Sequence, residues 1–580
     1  MTAKPAALPN LGAAPLAGIA VLVSLFSFLY YAQHNDLLLY GDAVAHINIA
    51  RRVFDSQTPG LLQLGTVWLP LPHLLMIPFI FLNTMWQNGA GGSIPSMAGY
   101  VFGVTGMFRL VGGALEASLS QRASATAAAA AGASPVGRAT VGASSVGASS
   151  VGAWTAALVY AANPNLIYMQ ATAMTESVYL ALFIWSVVYF AEFIRQSRRR
   201  GATEHSSALQ RGAGLARNSM RCAACLAAAE LTRYDGWFLA GVMGTAVAIM
   251  ALREWQDQDL RQVAIRFLAS IAVVPVLWLA YNGVVYGNAL EFANGPYSAQ
   301  AIEQRVHAPN PALHHAGVAA IYFLKSAQLN MAHGNWGRFW LGAALLGLAI
   351  AAWKLRGQSA PLLLLWVPLL FYALSIAYGS VPVHVYTWWP FATFNQRYGL
   401  QVLPMCAASA GALAAAAFVV GARWGHAGKL VAVVFALIVA SYASVWRATP
   451  LCLQEGQRQW GIRNPLNSAV ERVVAKLPRD ARFLMDTGEH VGVMEQAGIP
   501  LRRVVNNENH RPWKRPSDPE GLWERALADP PRYVDFVIAF DGDAVDTGVN
   551  KTHLSQLIEI HATGQPHAHI YAARNATGGN

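Results

Sequence analysis

The chain has 580 residues, yet only 12% are charged and 54% are hydrophobic, where soluble proteins carry about 25% charge. That balance argues against a soluble globular enzyme and describes a polytopic membrane protein. The formal charge of +11 does not require a nucleic-acid partner: seven arginines lie between positions 195 and 221, among apolar runs, with Glu204 as the only acid. This is the signature of a cytoplasmic loop.

A spanning helix needs roughly 20 predominantly apolar residues. The first such run, from about Leu11 to Tyr31 behind Lys4, lacks a small-x-small cleavage site and is expected to be a retained anchor. Further runs at 97–118, 152–170, 175–194, 218–233, 236–252, 264–286, 338–355, 361–378, 398–421 and 428–447 bring the expectation to about eleven crossings. With the arginine-rich segment inside, parity places residues 33–96 outside. The stretch from Trp68 to Phe81 then has no crossing to make, and Pro70, Pro72 and Pro78 suit an interfacial or re-entrant piece, because each proline removes a backbone donor; the alternative is a true crossing here with a further one elsewhere.

Residues 119–150 are mostly Ala, Gly, Ser and Val, with Val-Gly-Ala-Ser-Ser in tandem, and read as a low-complexity cytoplasmic loop. Cys222-Ala-Ala-Cys225 matches a CxxC string inside an Ala-rich apolar run, where core packing is the better reading than redox or metal chemistry. From about 450 the composition changes. Strands are expected at 482–486, 502–506, 535–540, 557–560 and 569–572, with helical spacing at 466–476 and 520–528. The chain thus divides into a multi-spanning part, 1–449, and an extramembrane α/β domain, 450–580, on the outer side. Asp541-Gly-Asp543 reads as turn chemistry.

Candidate chemistry gathers at the outer ends of the crossings. Asp42 and His46 are one helical turn apart, beside an apolar stripe of Ala43, Ile47, Ala50 and Phe54, which describes a helix lying along the outer membrane surface. A carboxylate there can act as a general base or cap the helix. Glu176 opens an inward crossing and Asp235 lies in the hinge Leu231-Thr-Arg-Tyr-Asp-Gly-Trp237; by parity both face outward with Asp42, although either could serve as a helix cap. Arg233 and Arg397 stand at helix boundaries, where arginine can bind phosphate bidentately. For Arg51 and Arg52 a snorkelling anchor is the better reading. His46 with Asp42 could also hold a divalent metal. No P-loop, GxSxG, HExxH or dinucleotide fingerprint occurs in context, which argues against ATP-driven transport, hydrolase and redox readings.

These features resemble the GT-C class of membrane glycosyltransferases, which includes protein O-mannosyltransferases and aminoarabinose transferases. Asp42 matches the class's catalytic acid in the first external loop. Met174-Thr-Glu176-Ser fits its second acidic loop, with Glu where many members have Asp. Leu231-Thr-Arg-Tyr-Asp-Gly236 is similar to its outward hinge, and the Pro-rich 68–78 segment to its interfacial piece. The chain departs from protein mannosyltransferases in having one acid, not an adjacent Asp-Glu pair, at Asp42.

The resemblance implies an inverting transfer of a hexosyl or pentosyl group from a polyprenyl-phosphate donor to a hydroxyl of a protein, lipid or glycan. Asp42 and Glu176 would be catalytic, and Arg233, Arg397, His73 and Tyr234 would bind the donor phosphate. His46 and Asp235 would serve the acceptor or a divalent metal, the one cofactor in question. Membrane lipid is an expected partner and nucleic acid is not; the site would face outward from a bacterial inner membrane. The competing reading is a secondary transporter or a lipid-linked sugar flippase, which would place charges near helix midpoints and show inverted repeats.

Overall fold

The computed structural model of the protein describes residues 12–129, 135–199, 208–306, 309–354, 360–379, 381–488, 490–507 and 521–573. The helices of the first half are α1 (Ala13–Gln33), α2 (Gly41–Arg52), α3 (Leu71–Met76), α4 (Asn83–Gln87), α5 (Ala90–Ala129), α6 (Pro135–Ala161), α7 (Pro164–Met169), α8 (Glu176–Arg199), α9 (Ala208–Glu230), α10 (Tyr234–Arg253) and α11 (Gln258–Tyr286). Then come α12 (Glu291–Asn294), α13 (Ala299–Val306), α14 (Ala316–Met331), α15 (Trp336–Lys354), α16 (Val367–Tyr378), α17 (Leu403–Arg423), α18 (Ala427–Ala448) and α19 (Leu451–Val474). The tail adds α20 (Gly492–Ala497), α21 (Leu522–Ala528), α22 (Pro530–Tyr533) and α23 (Ala544–Gly548).

The apolar runs expected to cross are mostly helical, with 3-10 turns opening those at 361 and 398; the run at 152–170 breaks at residues 162–163 into the end of α6 and the short α7. Among the described residues, eight helical stretches are long and apolar enough to span a membrane, and α6 adds a shorter apolar piece, Val146–Ala161. The chain is an integral membrane protein. Between Leu61 and Gln87 it is cut into 3-10 turns and the short α3 and α4, so nothing there is long enough to cross.

The 119–150 segment differs from the expected loop. It is helical over 119–129 and 135–150, and residues 130–134 lie outside the described residues. Alanine, its commonest residue, is the best helix former, and low complexity did not prevent α5 and α6 from extending as a pair. The arginine-rich loop is likewise shortened, since α8 runs to Arg199 and α9 begins at Ala208. Cys222 is buried on α9, its thiol directed at the Ser186 carbonyl at 3.3 Å, as core packing requires.

In the membrane part α5 lies against α6 and α8, and α17 against α6. The α9–α10 hinge closes tightly: a Cβ on Gly236 would fall 2.6 Å from the Ala229 carbonyl, so no larger residue fits that turn. After α18, Pro450 redirects the chain into α19, which starts well before the helix expected at 466. The tail sheet has the order β2-β1-β3-β5-β4, with β1 (Phe483–Met485), β2 (Val504–Val505), β3 (Phe536–Phe540), β4 (Leu554–Ile560) and β5 (Ala568–Ala573). Strand β1 runs parallel to β2 and β3, while β5 is antiparallel to β3 and β4. Asp541-Gly-Asp543 is a turn with Gly542 at φ 77°, and Asp543 caps α23 by accepting the Asp546 N–H at 2.6 Å.

Helix α2 is not the one-sided surface helix its pattern suggests. Ala43, Ile47 and Ala50 are buried, and so are His46, Asn48, Arg51 and Arg52 on the polar side. The tail covers that side. Asn48 donates to Glu495 Oε2 of α20 at 2.7 Å. Arg51 does not snorkel: it donates to Asp55 (2.7 Å), the Ile80 carbonyl (2.6 Å) and Asn83 (2.7 Å), with its guanidinium near the Phe54 and Trp86 rings.

Burial pushes the Glu495 carboxyl up from 4.5 to about 8, with the Asn48 hydrogen bond opposing the shift. The folded protein therefore holds a proton that the unfolded chain releases, and this contribution to stability is lost as pH rises from about 4.5 to about 8. Thermal unfolding from pH 5 to pH 9 should show E495Q gaining on the wild type through this window, by on the order of a few kcal/mol at the top. Parallel curves would contradict the burial argument.

Candidate active site

Three helix starts converge on one cavity. Asp42 is in the first turn of α2, where Tyr40 is the N-cap and no side chain caps the helix. Glu176 is the first residue of α8, and Asp235 lies in the first turn of α10. Acids at these positions are favoured by the helix dipole, but here their oxygens go to arginines.

Arg397, in the 3-10 turn Gln396–Val402 that leads into α17, donates from Nη2 to Asp42 Oδ2 and from Nε to Glu176 Oε1 at 3.2 Å. Glu176 Oε1 is also 3.5 Å from Arg233 Nη1. Arg233 continues the chain through Nε to Asp235 Oδ1 at 3.2 Å and through Nη2 to the Tyr372 hydroxyl at 2.9 Å, which itself donates to Asp235 Oδ2 at 3.1 Å. The result is a continuous ion chain, Asp42–Arg397–Glu176–Arg233–Asp235. Aromatic faces enclose it: Arg397 lies 5.1 Å from the Tyr40 and Tyr398 ring centres, and Arg233 lies 5.2 Å from Tyr398.

Exposure separates the acids. Asp42 has 37% of its side chain exposed, against 1% for Glu176 and 3% for Asp235. Among the described residues Asp42 is bonded through Oδ2 alone, and none accepts from Arg397 Nη1. Glu176 Oε2 is buried without a partner.

The cavity has a volume of about 1790 Å³, and Asp42, His46, Glu176, Arg233, Tyr234, Asp235 and Arg397 all line it. Tyr234 donates to the Val67 carbonyl at 3.1 Å, which ties the hinge to the interfacial segment. His73, expected among the donor-binding groups, does not line the cavity. It stands behind His46, with its Nε2 2.9 Å from His46 Nδ1. Burial and the nearby Arg397 and Arg233 push His46 down to about 3, and burial lowers His73 as well, so both are neutral imidazoles sharing one hydrogen bond. Asp235, expected to meet an acceptor or metal, is committed to Arg233 and Tyr372. With His46 Nδ1 spent on His73, the Asp42–His46 pair lacks a third ligand, and among the described residues the one group of three ligating side chains lies elsewhere, in the tail.

Sequence reasoning missed Glu455. This fully buried acid on α19 accepts the Gln396 and Arg397 backbone N–H groups, each at 3.2 Å, and the Tyr40 hydroxyl at 3.2 Å. It fixes the turn that presents Arg397. Its one sequence signal is an acid inside the apolar start of a helix, Leu451-Cys-Leu-Gln-Glu455. Gly399 allows the same turn to press on α14, where a Cβ would meet the Ala327 nitrogen at 2.5 Å.

No protein-family model matches the chain, and no curated protein matches it in sequence. Solved structures do match. ArnT from Cupriavidus metallidurans bound to undecaprenyl phosphate is similar at 12% identity with a TM-score of 0.54, over 97% of this chain and 99% of that one. The apo state of the same protein matches at 12% identity and a TM-score of 0.52, over 98% and 99%. An oligosaccharyltransferase from Archaeoglobus fulgidus aligns at 11% identity and a TM-score of 0.47, over 97% of this chain and 75% of that one. The chain has a GT-C-like fold along nearly its whole length.

Removing a buried partner and removing an exposed one should differ in stability. E455A leaves the Gln396 and Arg397 backbone donors unpaired, while the Tyr40 hydroxyl keeps the Cys452 carbonyl, and should cost on the order of 3 kcal/mol. D42N keeps an oxygen that can accept from the buried Arg397 and lies at a partly exposed side chain, so it should cost less, about 1 kcal/mol. Thermal unfolding of the two purified variants checks this, and equal losses would contradict the division of labour.

Proposed function

We propose that the protein is an inverting glycosyltransferase that moves a sugar from a polyprenyl-phosphate donor to a hydroxyl acceptor at the outer membrane face. The observation that carries this reading is the asymmetry of the acids in the ion chain: Asp42 is the exposed one in the cavity wall, while Glu176 and Asp235 are buried and the buried Arg397 holds Asp42 Oδ2. In the proposed step the acceptor O–H gives its proton to Asp42 Oδ1 as its oxygen bonds to the anomeric carbon. The bond from that carbon to the phosphate oxygen breaks, and its electron pair leaves with the lipid phosphate. Arg397 Nη1 is the open donor beside the developing negative charge. Glu176 and Arg233 position Arg397, and His73 positions His46. No step is routed through a metal.

The fold supports the donor class by likeness, since ArnT of the same fold was solved with undecaprenyl phosphate bound. Placement of the charges supports an enzyme over a transporter: Asp42, Glu176, Asp235 and Arg397 all stand at helix or turn beginnings rather than helix midpoints. The sugar, hexose or pentose, and the acceptor are open to a substrate panel.

Purified wild type should transfer sugar from at least one member of a panel of polyprenyl-phosphate sugars. D42N should lose at least about 100-fold in turnover, the usual scale for removing a general base, while still binding the lipid phosphate. Undiminished turnover by D42N, or direct use of a nucleotide sugar, would overturn the proposal.

A further inference from the structure

The tail sheet carries a cluster of ligating side chains that the transferase reading does not use. In the β4–β5 hairpin Glu559 pairs with His569 and Ile560 with Ala568. Continuing that register past the end of β4 sets His561 opposite His567. Residues directly opposite share a face, and so do residues two apart on a strand, so Glu559, His561 and His567 point the same way. Their ligating atoms all lie within 4.8 Å of one another.

The separations are those of a coordination shell rather than of hydrogen bonds. Glu559 Oε1 is 3.4 Å from His561 Nε2 and 3.3 Å from His567 Nδ1, longer than the usual hydrogen-bond range of about 2.7–3.2 Å. Ligands bound tetrahedrally to zinc at about 2.0–2.1 Å stand about 3.3 Å apart. The two imidazoles meet edge to face with ring centres 4.1 Å apart.

A neighbouring acid holds the arrangement. Asp541, just after β3, accepts the His567 backbone N–H at 3.1 Å and pairs with His569 Nε2 at 2.8 Å. These contacts fix the backbone of His567 and the side chain of its neighbour His569 at the edge of the cluster.

We infer that Glu559, His561 and His567 form a binding site for a divalent transition-metal ion, with Zn²⁺ the ion best suited to two imidazoles and one carboxylate. The three side chains are substantially exposed, so an ion can enter and solvent can complete the coordination. Strand β4 is the sheet edge and carries a register shift between Gln556 and Ile558. A bound ion would lock its end to the start of β5, and Gln565, in the intervening turn, bonds to the Ile462 carbonyl of α19. The ion therefore has a structural role, and none of its ligands lines the transferase cavity.

The test is zinc binding by the full-length protein in detergent, stripped with a chelator and re-equilibrated with buffered Zn²⁺ alone. Metal content and unfolding temperature are read for wild type, for the double variant H561A/H567A, and for E559Q, which keeps the side chain's size. Wild type should retain one more equivalent of Zn²⁺ than the double variant and should show a rise in unfolding temperature on adding zinc that the double variant lacks. E559Q should bind at least about 10-fold more weakly. Equal zinc content and equal thermal response in all three proteins would overturn the site.

Discussion

One carboxylate oxygen, Glu176 Oε1, is shared between two guanidiniums, 3.2 Å from Arg397 Nε and 3.5 Å from Arg233 Nη1. Taking such charges out of water costs several kcal/mol per ion unless the partners are fixed and further hydrogen bonds complete them. The structure meets that condition from every side. Asp235 and Tyr372 complete Arg233, Asp42 takes the far end of Arg397, and Glu455 anchors the backbone on which Arg397 stands. The start of α8, the α9–α10 hinge, the turn before α17 and the helix that leads into the tail must therefore all be in register for the network to close.

The tail is part of that closure. Its α20 covers the polar face of α2 through Asn48 and Glu495, and α19 reaches in with Glu455. Helix α2 is consequently buried on both sides, and of the three acids in the ion chain Asp42 is the one left substantially exposed. Rigidity around a single accessible group is what preorganised catalysis needs, because the surrounding charges need not rearrange as the reaction proceeds.

Much of this was legible in the sequence because it rests on local patterns. Apolar run lengths marked the helices, short apolar runs after the change in composition near 450 marked the five strands, and parity put Asp42, Glu176, Arg233, Asp235 and Arg397 on one side. Other features depended on tertiary contacts that no local pattern carries. Arg51 looked like a lipid-facing anchor because nothing nearby in sequence announces Ile80, Asn83 and Trp86 as its partners. His73 looked like a ligand-binding group, yet the broken segment around it turns its ring onto His46. Glu455 lies 279 residues after Glu176 in the chain, and only the docking of α19 joins it to the same network. The Ala-rich 119–150 segment misled in the opposite sense, since low complexity concealed strong helix propensity.

In the proposed chemistry Asp42, the exposed acid of the ion chain, takes the proton while Glu176 and Asp235 stay paired with arginines. A direct displacement by the acceptor inverts the anomeric centre, whereas retention needs a second, nucleophilic carboxylate to form a covalent glycosyl-enzyme. Glu176, Asp235 and Glu455 are all buried, each with an oxygen held by an arginine side chain or a backbone donor. The most direct measurement is the anomeric configuration of the product by NMR, from a donor of known configuration. The account predicts inversion; retention would contradict it.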